Sequence, residues 1–167
     1  MVAMPSTWGG IRMGTPEHND IAMAAHDRYP DRILPYGCIN PSYPDLVEQE
    51  IPRVFESGKV FGFKPYPPGH QKPLIDPGNQ PMLRFAHERQ WPVLCHMGFS
   101  APGSCTPEHV AQCAERYPGA HFLCAHAGQS WPMAQAVANI AKTHRNIYAE
   151  ITYTAILYNF CEFFVRE

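Results

Sequence analysis

Two segments decide the fold: Pro92-Val93-Leu94-Cys95-His96-Met97-Gly98 and Phe122-Leu123-Cys124-Ala125-His126-Ala127-Gly128. Each is an apolar run that ends in a histidine followed within two residues by a glycine. Each reads as a buried strand whose last inward side chain is an imidazole. Side chains alternate along a strand, so Leu94 and His96 are expected to share a face, as are Phe122, Cys124 and His126. In parallel α/β proteins the C-terminal edge of the strands is where chemistry is done. Neutral imidazole is a common metal ligand and a natural general base. Two strand-end histidines one α/β unit apart therefore point to a metal site. One such histidine alone would read rather as a hydrogen-bonded core residue.

Outward from these segments the chain alternates helix-like and strand-like stretches. Strands are expected near 33–39, 60–64, 92–96, 121–126 and 147–152, and Met1 to Trp8 reads as the remains of a sixth. Thr15-Pro16-Glu17-His18 and Thr106-Pro107-Glu108-His109 each open a helix, with Thr as N-cap and Pro at the first helical position. A helix from Pro44 meets Pro52, which is expected to kink or end it before about Ser57. Further helices are expected over about 80–89, 132–143 and 155–166. The Pro- and Gly-rich segment from Tyr66 to Gly78 reads as a long loop. Connections this long cannot be hairpins, so the strands are expected to be parallel, with right-handed crossovers.

Composition narrows the classes. The 167 residues suit one domain, and a net charge of −2 gives no nucleic-acid footprint. No stretch approaches a membrane span, and the N-terminus lacks the pattern of a signal peptide, so a cytosolic protein is expected. Six cysteines without a Cys-x-x-Cys pair read as reduced thiols, three of them in strand-like runs. There is no Gly-x-Ser-x-Gly, no phosphate-binding loop and no Gly-x-Gly-x-x-Gly after a strand.

Lys64 also ends its strand, where it suits a substrate carboxylate or a metal-bridging group; the alternative is a lysine reaching the surface. Glu150 and Thr152 share a face of the last strand and suit substrate contacts or support of the histidines. A solvated edge explains them as well. His70 lies in the Pro-Gly loop, over the mouth of a barrel or simply exposed. Arg84 is a further cation for a carboxylate substrate. His18, His26, His87, His109, His121 and His144 fall on helices or flanks and read as surface residues.

Taken in order, Arg28-Tyr29-Pro30-Asp31-Arg32-Ile33, Asn40-Pro41, Gly62-Phe63-Lys64, the His96 and His126 segments and Asn146-Ile147-Tyr148-Ala149-Glu150 resemble the amidohydrolase-related family. These are metal-dependent barrel hydrolases and decarboxylases akin to aminocarboxymuconate-semialdehyde decarboxylase. The resemblance implies an all-parallel, partial (β/α)8 barrel comprising about strands three to seven, one incomplete domain over 1–167. It implies a divalent metal, zinc being the expected ion, with His96 as ligand and His126 as ligand or catalytic acid/base. Lys64, His70, Glu150 and Thr152 are the substrate-binding candidates. Two departures stand out: the family's His-x-His pair occurs nowhere, and its eighth-strand aspartate has no counterpart. A fragment, inactive alone, is therefore expected.

The implied activity is attack of metal-activated water on a C–N or C–O bond of a small acid, or non-oxidative decarboxylation of an aromatic or unsaturated acid. The rival from another class is a five-stranded doubly wound module that binds a small molecule or a partner without chemistry. A small-molecule substrate and a homodimer are the expected partners; nucleic acid and membrane are not.

Overall fold

The computed structural model describes residues 2–3, 16–98, 103–152, 163–164 and 166. Six parallel segments follow one another in chain order. β1 (Val2–Ala3) pairs with β2 (Leu34–Pro35). Gly37 then bridges Phe63, and Phe63 bridges Val93 of β3 (Pro92–His96). β3 pairs with β4 (His121–Ala125), and β4 with β5 (Ile147–Ala149). Backbone bonds carry the run across the middle: Lys64 N–H donates to Gly37 O at 2.8 Å, and Leu94 N–H to Phe63 O at 2.8 Å.

This order discriminates between the two architectures expected from sequence. A doubly wound sheet reverses its strand order at a switch point, where the chain leaves a gap between neighbours. Here each segment lies beside the next in sequence, as in a singly wound barrel wall, so the doubly wound alternative is corrected. The Met1 to Trp8 segment does contribute a strand, at Val2–Ala3; its remaining residues lie outside those described.

Helices lie between the strand segments, and the fifth and sixth pack on the last two strands. They are α1 (Pro16–Arg28), α2 (Pro44–Glu50), α3 (Pro67–His70), α4 (Gln80–Arg89), α5 (Pro107–Arg116) and α6 (Trp131–Thr143). Thr106 caps α5 in a capping box with His109, and Ser130 Oγ accepts from Met133 N–H at the start of α6. The regular α-helix ends at Glu50, just before Pro52, as expected. Lacking an N–H, Pro52 cannot continue the i to i−4 ladder, and the chain widens into π-helical turns over Ile51–Phe55. The Tyr66 to Gly78 loop is partly ordered as α3 and a 3₁₀ turn at Pro77–Asn79. The helix expected over 155–166 falls largely outside the described residues.

The alternation of β3 and β4 sets the core. Val93, Cys95, Phe122 and Cys124 are fully buried against the helices, packed with Leu83, Val110 and Met133. Burying a side chain as large as Phe122 contributes about 1.5–3 kcal/mol. Leu94, His96 and Leu123 point the other way and stay half-buried. The 33–39 strand is ladder-paired only at Leu34–Pro35 and bridged at Gly37, because Pro35 supplies no donor. Asn19 replaces the missing ladder. Its Nδ2 donates to Cys38 O at 2.9 Å and its Oδ1 accepts from Cys38 N–H at 3.0 Å. Glu50 accepts from the same Nδ2 and is held by Arg53 at 2.6 Å.

All five described cysteines are unpaired and buried. Burial pushes the Cys38 and Cys113 thiols up to about 12, so they pack as small hydrophobes. Among the described residues, no helix is long and apolar enough to cross a membrane.

Candidate active site

Lys64, His96, His126 and Glu150 stand at the C-terminal ends of four successive strand segments. The ladder pairs His96 with Ala125, one residue short of His126. Alternation led us to expect His126 on one inward face with Phe122 and Cys124. The structure keeps His126 inward but corrects the shared face, since Phe122 and Cys124 pack in the core against the helices. The strand ends at Ala125, and His126 takes a left-handed backbone (φ 60°), which turns its side chain onto the face of Leu123 and Ala125. That conformation costs a non-glycine residue about 1–2 kcal/mol. It is offset by His126 N–H donating to Glu150 Oε2 at 3.1 Å and by Gln129 N–H donating to His126 O at 3.0 Å.

The turn brings the two imidazoles together, with ring centroids 5.0 Å apart at 76°. Tyr66 also packs edge-on to His96, 4.9 Å away at 77°. Burial, then the charges of Lys64 and His126, pull the His96 imidazole down to about 4, so it is neutral at physiological pH. His126 Nδ1 lies 3.3 Å from Thr152 O. A carbonyl only accepts, so in this contact Nδ1 is the donor.

Glu150 supports this geometry. Oε1 accepts from the Thr152 N–H at 2.7 Å and from the Thr152 hydroxyl, while Oε2 holds the His126 amide. Burial pushes its carboxyl up, but the Thr152 and His126 hydrogen bonds and the His126 charge outweigh that and hold it below the ordinary carboxylate range. Its main chain continues the β4 ladder: Glu150 N–H donates to Cys124 O at 3.0 Å, although β5 proper ends at Ala149 and not at 152.

Lys64 does not reach the surface. It is 5% exposed, and its Nζ has no hydrogen-bond partner among the described residues. Burial pulls its ammonium down to about 8, against the raising influence of Cys95 and Glu150. With Tyr36, Leu94, Leu123, Ala125, His126, Glu150 and Thr152 it lines a cavity of about 340 Å³. Gly62 makes room for this: a Cβ there would lie 3.0 Å from Tyr36 Cζ and 2.9 Å from Pro92 O.

Two sequence candidates stand elsewhere. His70 is buried at the end of α3, edge-on to Tyr66 at 6.5 Å, and is not among the cavity-lining residues; it is not the exposed loop histidine considered from sequence. Arg84 is exposed on α4. The six histidines read as surface residues, His18, His26, His87, His109, His121 and His144, are all half-buried; His26 bonds Ile33 O at 2.7 Å, and His87 accepts from the Gly119 amide at 2.8 Å. Tyr36 and Tyr66 were missed. The available signals were Tyr36 beside a strand-interior glycine and Tyr66 two residues beyond Lys64.

With this geometry in view, the family is clear. The sequence model of the amidohydrolase family matches residues 7–164, and the chain belongs to that family. Its fold is similar to an uncharacterized TIM-barrel protein, Bb4693, from Bordetella bronchiseptica (TM-score 0.67, 21% identity, 80% of this chain and 48% of that one). It also resembles 5-carboxyvanillate decarboxylase from Novosphingobium aromaticivorans, solved with manganese and 4-hydroxy-3-methoxy-5-nitrobenzoic acid (TM-score 0.59, 18% identity, 86% and 52%). A third is 2,6-dihydroxybenzoate decarboxylase from Rhizobium (TM-score 0.54, 13% identity, 75% and 51%). The chain spans about half the length of these structures. No curated protein matches it.

The donor set for a metal is partial. His96 and His126 offer two imidazoles, but Glu150 has both oxygens engaged, and no three His, Cys, Asp or Glu side chains converge among the described residues. Catalytic zinc sites use three protein ligands. The described residues alone therefore do not fit a tightly held divalent ion.

Proposed function

We propose that this chain carries one wall of an active site for non-oxidative decarboxylation of a small aromatic or unsaturated acid. The observation that carries this reading is Lys64: a buried ammonium with no hydrogen-bond partner among the described residues, lining the same cavity as the proton-handling imidazole of His126. When the carbon–carbon bond to the carboxyl group breaks, the electron pair stays on the substrate. A preorganised cation in a site of low dielectric stabilises that charge. A proton from His126 then takes the place of the departed carboxyl group. Glu150 and Thr152 act by holding His126 in its turned position.

Hydrolysis at a C–N or C–O bond is the second reading, and family membership supports it. In that reading His126 would serve as the base that takes a proton from water. The decarboxylase names borne by two structures of similar fold support the first reading. Zinc is an ion that two imidazoles suit.

The test is release of carbon dioxide from a panel of hydroxybenzoic and unsaturated dicarboxylic acids, with and without added zinc or manganese. Release that is lost in His126→Asn is expected. Turnover of amide or ester substrates with no carbon dioxide from the acids would establish the second reading instead.

A further inference from the structure

We propose that Lys64 is a covalent nucleophile whose amine condenses with the carbonyl carbon of a small oxo acid in the cavity to form an imine. Three observations carry this. Nζ is buried and has no hydrogen-bond partner among the described residues, whereas Lys59 is paired with Asp27 at 2.7 Å and Lys72 with Asp76 at 3.3 Å. Glu150, the carboxylate of the same cavity, has its oxygens committed to Thr152 and to the His126 amide. The side chains beside Lys64 include apolar Leu94, Leu123 and Ala125, with His126 there to move protons.

An amine in apolar surroundings without an anion to hold its proton is the arrangement that activates lysine towards carbonyl groups. The chemistry balances without oxidant or reductant. The Lys64 ammonium first gives one proton to His126; the neutral amine then forms a C–N bond to the carbonyl carbon as the carbon–oxygen π bond opens, and a proton passes from nitrogen to that oxygen, giving a carbinolamine. Its C–O bond then breaks, with His126 supplying the proton that lets the oxygen leave as water. The protonated imine keeps the positive charge of the ammonium and extends it to the substrate carbon. It therefore accepts the electron pair left by a carboxyl group one carbon further along. The choice of an acid rests on the decarboxylation reading above; the imine itself does not.

The experiment uses the full chain with pyruvate as an oxo-acid probe and cyanoborohydride, which delivers hydride to the imine carbon and leaves a stable secondary amine. Peptide mass mapping then locates the label. The expected result is more label on Lys64 than on Lys59, Lys72 and Lys142 together. Leu123→Trp, which fills the cavity, should remove the Lys64 label and leave the others unchanged. Lys64→Met should lose the label with its circular dichroism intact; if that variant does not fold, the wild-type pattern and Leu123→Trp decide.

Label absent from Lys64, or spread evenly over the lysines, overturns the proposal. So does Lys64 label that survives Leu123→Trp. Binding of pyruvate without any trapped adduct also overturns it, since an ammonium that merely pairs with a carboxylate would behave that way. Label on Lys64 with no carbon dioxide from any acid would sink the decarboxylation reading alone. Carbon dioxide release without label would sink the imine alone.

Discussion

The rings of His96 and His126 lie 5.0 Å apart, although the ladder pairs His96 with Ala125 and leaves His126 beyond the end of its strand. The left-handed turn at His126 closes that gap. Asn tolerates positive φ better than most residues. His126→Asn is therefore expected to cost no more than about 1 kcal/mol of stability, while activity falls about 100-fold or more, as loss of an acid/base group does. Urea unfolding set beside the carbon dioxide assay separates the two effects. A change above about 3 kcal/mol would mean that the ring holds the turn.

Lys64 predicts a pH signature. Its folded-state value, about 8, lies below the ordinary 10.5, so the unfolded chain binds this proton first as pH falls. Stability is thus lost between about pH 10.5 and 8, and the full cost persists at neutrality. Lys64→Met is expected to raise stability at pH 7 by about 1–3 kcal/mol and to flatten the profile above pH 8. Thermal melts across that range check it, and an unchanged profile would show the ammonium to be solvated.

Glu150 has the opposite sign. Its carboxyl is held below the ordinary carboxylate range, so it stabilises the fold above that range, and the contribution disappears as pH falls through the lowered value. Glu150→Gln is expected to lose about 1–2 kcal/mol at pH 7, because the His126 amide and Thr152 lose a charged acceptor. The loss should vanish in acid. Chemical unfolding at neutral and acid pH measures both.

Gly62→Ala would put a Cβ 2.8 Å from Pro92 Cγ and 2.9 Å from Pro92 O. Backbone cannot give way there without disturbing the ladder. A destabilisation of about 1–3 kcal/mol is expected, with Tyr36 displaced from the cavity. A crystal structure of the variant with Tyr36 unmoved would contradict this.

Zinc titrated calorimetrically into the chelator-treated chain should bind weakly, because two imidazoles make a poor cage. The residual heat should drop further in His96→Ala and in His126→Ala. Tight one-to-one binding would require ligands beyond those two.

Much of this was legible in the sequence. The apolar runs ending at His96 and His126 gave two strands whose positions hold to within a residue, because five-residue parallel strands buried on one face leave a strong pattern. The strand-end placement of Lys64 was legible for the same reason. His126 was expected inward and is, but its parting from the face of Phe122 and Cys124 was not legible, since alternation assumes that the strand continues and nothing in Ala125-His126-Ala127 announces a left-handed residue. The burial of His70 was hidden by a loop whose Pro-Pro-Gly spelling concealed a helical turn. The middle of the sheet was over-drawn because Pro35 and Pro65 remove ladder donors, and Asn19 supplies bonds across the chain that no local pattern encodes.

The buried thiols behind the sheet have a practical consequence. Cys95 and Cys124 sit side by side in register on adjacent strands, and Cys105 and Cys113 are sealed with them under the helices. A thiol reagent meets these sulfurs only when a helix lifts from the strand beneath it. The chain thus carries its own stopwatch: the rate at which each sulfur becomes alkylated times the opening of that part of the wall, without any label being engineered into the protein.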